Sequence, residues 1–236
     1  MTTVKHSMKG DIAWIEIDDG KANAIDPDFL RGLNEGMDFA EKQQARAIVI
    51  SGRPGYFSAG LNLKKLPMLP PDEFMAFCYG FGDVLLRLFA YPRPTIALVR
   101  GHAMAGGAVL LIACDYRVAA QGSYKIGMNE SAISLPLPSF CVEMAQAVIN
   151  PRDILPTVLE GNTFDPNAAL RNNYITHISM SHDPDAMIAP VLEQIARFSV
   201  DAYGTTKGRL RNAIRERGER TCRSEFDSAR AMPGMG

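Results

Sequence analysis

The chain has 236 residues, 47% hydrophobic and 22% charged, a balance that supports a sizeable folded core and excludes an intrinsically disordered chain. Twenty-five basic residues against 26 acidic ones leave a net charge of −1, without the basic excess that phosphate-backbone binding needs, so nucleic acid is not an expected partner. No apolar run approaches the roughly 20 residues of a membrane span, so no membrane association is expected either.

Met1-Thr-Thr-Val-Lys-His6 carries no secretory pattern, and a cytoplasmic location is expected. Ile12–Ile17 mixes β-branched and aromatic residues as a strand does. Gly20-Lys-Ala-Asn-Ala24 reads as a loop, and Pro27–Gln44 as a helix with proline in its first turn. Ala45–Ile50 is a short buried strand, Pro71–Ala90 a helix rich in Phe and Leu, and Pro94–Val99 a second buried strand. Gly106–Ala113 is helical, Tyr116–Ala119 returns to a strand, and Tyr124–Ile126 is a further short strand. This alternation predicts parallel β-α-β units and an α/β layered fold. After Ser139 the pattern turns helical, over Phe140–Ile149, Arg152–Glu160, Pro166–Asn172, Asp185–Val200 and Ala202–Arg217. The division expected is an α/β core over 1–180 and a helical region over 181–236, within the same domain or as an oligomerisation extension. The tail Ala231–Gly236 is expected to fray.

Cys78, Cys114, Cys141 and Cys222 form no CxxC pair and read as reduced core thiols. The four histidines lack metal-ligand spacing, so no metal is expected. Three other stretches carry chemistry. In Phe57-Ser-Ala-Gly-Leu-Asn-Leu63, small residues let another molecule approach the backbone, although a tight turn explains them equally. Gly101-His-Ala-Met-Ala-Gly-Gly-Ala-Val-Leu110 runs from a strand into a helix start, whose free N–H groups suit an anion or a developing oxyanion. It is neither a Walker loop nor GxGxxG, and close helix–strand packing accounts for its glycines as well. Ile126-Gly-Met-Asn-Glu-Ser131 holds Glu130, either a solvated turn residue or, in apolar company, a carboxylate of raised pKa fit to move protons.

Taken in order, these stretches resemble the crotonase family, the enoyl-CoA hydratase/isomerase superfamily. The first looks like its first oxyanion motif and Gly101–Asp115 like its second, while Lys21-Ala-Asn-Ala-Ile25 resembles its early loop. The resemblance runs over about residues 10–180 and implies a spiral of β-β-α units with helices that build trimers, often hexamers. It implies an acyl-CoA thioester as ligand, with coenzyme A part of the substrate and no resident cofactor. The Leu61 and Gly106 N–H groups are then expected to hold the thioester oxygen and Glu130 to act as the base. Lys21, Ala22, Ala59, Gly60 and Lys64 are expected substrate contacts on one side, and Gly107, Val109 and Leu135 on the other. Met104, Met128 and Leu135 to Leu137 line the acyl pocket or simply fill the core.

Hydratases of the family carry a second glutamate three residues after the oxyanion glycine, and Val109 stands there. Together with Ile126–Ser131 and Cys114-Asp-Tyr-Arg-Val118, this places the resemblance nearest the Δ3,Δ2-enoyl-CoA isomerase branch. The activity implied is a 1,3-proton shift that converts a 3-enoyl-CoA to the 2-enoyl-CoA. A hydratase, another crotonase-fold enzyme (thioester hydrolase, decarboxylase, dehalogenase) and a non-catalytic acyl-CoA-binding protein are the alternatives. The seven basic residues between Lys207 and Arg223 read as a solvated helix face or as phosphate ligands, and Lys21, Lys64 and Lys65 leave the same two options open.

Overall fold

The computed structural model describes residues 3–230. A hairpin of β1 (Thr3–Lys9) and β2 (Ile12–Asp18) leads into α1 (Pro27–Lys42). Three β-β-α units follow. They are β3 (Ala47–Gly52), β4 (Gly55–Ser58) and α2 (Pro71–Phe89); β5 (Thr95–Val99), β6 (Gly101–Met104) and α3 (Gly106–Ala113); and β7 (Tyr116–Ala120), β8 (Ile126–Gly127) and α4 (Ser139–Val148). The chain ends with α5 (Pro166–Arg171), β9 (His177–Ser179), α6 (Pro184–Ala196) and α7 (Val200–Arg230). The first strand of each unit joins a six-stranded sheet of order β1-β2-β3-β5-β7-β9, and the second joins a small sheet of order β4-β6-β8. Apart from the β1–β2 hairpin, every pairing between these strands is parallel. This is the β-β-α spiral expected of the crotonase fold.

Local chemistry sets the elements. Asp26 caps α1 by accepting the Phe29 N–H at 3.0 Å, and Pro27 fills its first turn. β3 is buried along its whole length, as a strand covered on both faces must be. Its Ile48 and Ile50 meet the main core with Ile15, Phe29 and Leu33. Ala47 and Val49 face the other way, with Trp14 and Ile96, under Met187, Ile188, Val191 and Ile195 of α6.

Helix α7 lies on α2 and α4 of its own chain. Four of its basic residues are paired with carboxylates, Lys207 and Arg211 largely out of solvent and Arg217 and Arg223 on the exposed face expected from sequence. Lys207 and Arg211 each reach Asp115 at 2.7 Å, Arg217 reaches Glu143 at 2.9 Å, and Arg223 reaches Asp83 at 3.0 Å. Asp115 also accepts the Thr95 N–H at 2.9 Å, so one buried carboxylate joins α7 to the strand and helix ends beside it.

The structure adds β1, β4, β6 and β9 to the strands expected from sequence, and carries α7 well past Arg217. The helix expected over Arg152–Glu160 breaks into a 3₁₀ turn (Pro151–Asp153) and a π-helical turn (Leu155–Leu159). Pro156 lacks the N–H that a regular α-helix needs there. The fraying expected of Ala231–Gly236 lies outside the described residues.

Removing the Asp115 carboxylate leaves two cations without their shared partner. Asp115→Ala is expected to lower the unfolding free energy by about 3–5 kcal/mol in a urea titration. Lys207→Met, which removes a charge that burial already disfavours, should cost clearly less. A loss below ~1 kcal/mol for Asp115→Ala would mean that the cluster does not hold α7 in place.

Candidate active site

The small sheet assembles the site. Its strands run parallel, with Ser58 beside Ala103 and Met104 beside Gly127, so their C-terminal ends lie together. Leu61 follows β4 by three residues, Gly106 follows β6 by two, and Glu130 follows β8 by three. The Ala105 N–H donates to the Gly127 carbonyl at 2.9 Å and ties the last two exits to each other. Crevices beyond the carboxyl ends of parallel strands are where open α/β sheets place ligands.

The first two exits touch. Gly60 has φ +87°, and a Cβ on it would stand 2.9 Å from the Met104 carbonyl oxygen and 3.0 Å from the Gly106 nitrogen. Glycine therefore satisfies both the left-handed backbone and the close approach. Gly107 is equally constrained, since a Cβ there would stand 2.3 Å from the Ser58 carbonyl oxygen. Between the two motifs Ala105 adopts φ 49° and ψ −128°, a conformation that L-residues avoid and that costs about 1–3 kcal/mol. It turns the chain so that α3 begins at Gly106, with the Ala105 carbonyl accepting the Ala108 N–H at 2.7 Å and the Val109 N–H at 3.1 Å. The Leu61 and Gly106 N–H groups donate to no acceptor among the described residues. They are two backbone donors on adjoining turns.

The early loop is zipped to the first of these turns. Ala59 N–H donates to the Ala22 carbonyl at 2.9 Å, Ile25 N–H to the Gly60 carbonyl at 2.8 Å, and Asn62 N–H to the Ile25 carbonyl at 2.8 Å. In this pattern Leu61 carries its own N–H away from Ile25. Two side chains not singled out from the sequence lock the arrangement. The Asn23 amide, fully buried, donates to the Ile17 carbonyl at 2.9 Å and to those of Tyr56 and Phe57 at 3.2 and 3.3 Å. The Ser58 hydroxyl donates to the Asn23 carbonyl at 2.7 Å and accepts the Gly60 N–H at 3.2 Å. The only sequence signal for either was a small polar residue beside a glycine turn.

Glu130 begins a 3₁₀ turn (Ser131–Ile133), its carbonyl accepting the Ile133 and Leu135 N–H groups at 3.0 Å each. Residues 131–136 are exposed, yet Glu130 itself is only 8% exposed. Its Oε2 has no hydrogen-bond partner among the described residues. Burial raises its pKa from 4.5 to about 7, against a smaller lowering by its own backbone. No cation among the described residues offsets that burial, while its charge is felt at Cys141 and Tyr174. The Tyr174 hydroxyl, another residue the sequence did not flag, accepts the Met128 N–H at 3.1 Å and so steadies the exit from β8.

The remaining expected contacts divide. Lys21, Ala22, Ala59 and Gly60 share the zipped loops, and Gly107 lies against Ser58. Lys64 is exposed, whereas Lys65 is held at 3.0 Å by both Asp26 and Asp28. Val109 and Met128 are fully buried in the main core, Met104 is half-buried, and Leu137 packs against the same core. Leu135 shares the Glu130 turn and is 40% exposed.

With this geometry in hand, a family model described as "Enoyl-CoA hydratase/isomerase" matches residues 7–232. Human mitochondrial enoyl-CoA delta isomerase 1 is 24% identical over 209 residues, covering 87% of this chain and 69% of its own length. A probable enoyl-CoA hydratase of Bacillus subtilis is 32% identical over 131 residues, covering 55% of this chain and 50% of its own. A solved structure of an enoyl-CoA hydratase/isomerase family protein from Pseudomonas syringae superimposes with a TM-score of 0.89 at 25% identity, covering 95% of this chain and 96% of that one.

The buried carboxyl predicts a stability signature. Its folded pKa, about 7, lies above the value of 4.5 it takes without the fold, so folding favours the protonated form. The stabilisation is whole below pH ~4.5 and is lost as pH rises through about 7. Glu130→Gln, which keeps the shape without the charge, should therefore gain on the parent as pH rises from 5 to 8, by roughly 3 kcal/mol at most. Parallel curves for the two proteins in urea titrations across this range would show that Glu130 ionises freely.

Proposed function

The chain belongs to the enoyl-CoA hydratase/isomerase family, and we propose that within it the protein isomerises 3-enoyl-CoA to 2-enoyl-CoA. Glu130 takes a proton from C2 of the 3-enoyl thioester. Negative charge spreads to the thioester oxygen, where the Leu61 and Gly106 N–H groups meet it. The same carboxyl then returns the proton to C4, which leaves the double bond between C2 and C3. Donors aimed at charge that develops only in the transition state lower the barrier rather than merely tightening binding.

The observation that carries this reading is one buried, otherwise unpartnered carboxyl at the same sheet edge as two free N–H groups, with valine at 109. Syn addition of water takes two polar groups to hold and activate it, and Val109 supplies no second group. A proton shuttled between two carbons of one molecule takes a single group whose pKa lies near the working pH. A carboxyl that titrates near 7 is basic enough to accept the proton and acidic enough to give it back.

An assembly of three copies, or two such trimers, working in the cytoplasm is part of the same proposal. The exposed Leu155 and Leu159 on one helical turn supply apolar surface for it, and light scattering gives the mass that decides it.

Purified protein with a 3-enoyl-CoA is expected to form the 2-enoyl absorbance, with kcat/KM rising with pH and levelling above about 7 as Glu130 ionises. Glu130→Gln should lower kcat by ~10²–10⁴ with KM little changed. Full activity in that variant removes Glu130 from the reaction. Faster hydration of crotonyl-CoA than isomerisation assigns the protein to the hydratases instead.

A further inference from the structure

The proposed function leaves open which acyl chains enter, and the wall behind the donors bears on this. Around Gly106, a Cβ would stand 3.3 Å from the tip of the Phe81 ring, 3.5 Å from Ile25 and 3.6 Å from Leu61. Phe81, on α2, is thus the aromatic side chain against the second oxyanion donor. It is only 6% exposed and is itself backed by rings. Phe77 stacks on it at 6.3 Å between centroids, and Phe140 meets it edge-on at 5.9 Å. Phe140 is fully buried, and with its neighbour Cys141 it lies in the same core as Phe77 and Phe81.

Behind Phe140 the helices pack closely, whereas Phe77 also borders an open groove between α1 and α2. A Cβ on Gly82 would stand 2.5 Å from the Cys222 sulfur and 3.6 Å from the Phe140 ring, and one on Gly218 would stand 2.9 Å from Leu86 and 3.1 Å from Phe140. These glycines seat α7 against α2 and α4 as closely as helices approach. The half-exposed ion pairs Arg223–Asp83 and Arg217–Glu143 lie across the same two seams. A chain passing between α2 and α4 would have to displace the C-terminal helix.

Resting on the acyl-CoA reading above, we infer that Phe81, backed by Phe140 and the close seat of α7, closes the acyl end of the site and restricts it to short acyl chains. Each buried methylene ordinarily raises affinity about fourfold. A cleft without such a wall therefore favours long chains steeply, and a preference for short ones requires a barrier.

The test uses the saturated esters hexanoyl-CoA and dodecanoyl-CoA, which bind without reacting, titrated calorimetrically into the parent protein, Phe81→Ala and Phe81→Leu. The parent is expected to bind hexanoyl-CoA about tenfold tighter than dodecanoyl-CoA. Phe81→Ala should remove or reverse that preference while changing the hexanoyl-CoA Kd by no more than about threefold. Phe81→Leu should shift it part of the way, and it carries the test alone should the alanine variant not fold. Equal or tighter dodecanoyl-CoA binding by the parent overturns the inference, as does an unchanged ratio in a folded variant, and both leave the isomerase reading intact. If the parent binds neither ester, the acyl-CoA reading fails and this inference with it.

Discussion

Parallel pairing of three very short strands is the constraint on which the rest of the molecule depends. β4, β6 and β8 contain four, four and two residues, too few to be stable alone. They are held because each follows a buried strand of the six-stranded sheet, and because the outer edge of β8 is closed by Phe164, whose N–H and carbonyl both pair with Ile126. Their alignment decides whether residues 61, 106 and 130 leave the sheet at one place. The pairing of β4 with β6 is irregular between Tyr56 and Ser58, and this brings the Gly60 turn level with Ala105. A one-residue slip would turn the exits to opposite faces.

Several unfavourable local states are concentrated at that edge. Ala105 holds a disfavoured backbone conformation, Glu130 is buried without a cation, and two backbone N–H groups stay unpaired. Each costs free energy in the resting protein, and each is what the proposed reaction uses. The surroundings are correspondingly rigid. Asn23 and Ser58 satisfy the buried backbone between the loops, and Asp115 with Lys207 and Arg211 fixes the end of α3 remote from Gly106. A site of strained and unpartnered groups survives because the lattice of bonds around it leaves no cheaper arrangement.

Much of the frame was legible in the sequence. β3, β5 and β7 announce themselves as β-branched apolar runs, α1 by its proline start and helical spacing, and α3 by its glycine start. Two of the three strands of the small sheet were not legible, since Gly55–Ser58 and Gly101–Met104 are too short for any alternation to register and begin with a residue that normally weakens strands. The end of α7 was missed because its side chains past Arg217 are mostly polar and exposed, and the partner that ties Arg223 to α2, Asp83, lies far away in sequence. At the site, Gly60 and Gly107 carried a physical signal, because only glycine fits those contacts. The donors at 61 and 106 are backbone groups that no side chain encodes, and they were reached through family resemblance. Glu130 was visible as a residue, but its burial depends on packing that sequence spacing does not reveal.

The most direct measurement is a crystal structure of the Glu130→Gln protein with a 3-enoyl-CoA bound. The account predicts the thioester oxygen within ~3 Å of both the Leu61 and Gly106 nitrogens, with the residue-130 side chain facing C2 and C4 from one side. A thioester seated away from these two nitrogens, or a residue-130 side chain turned from the acyl chain, would contradict it.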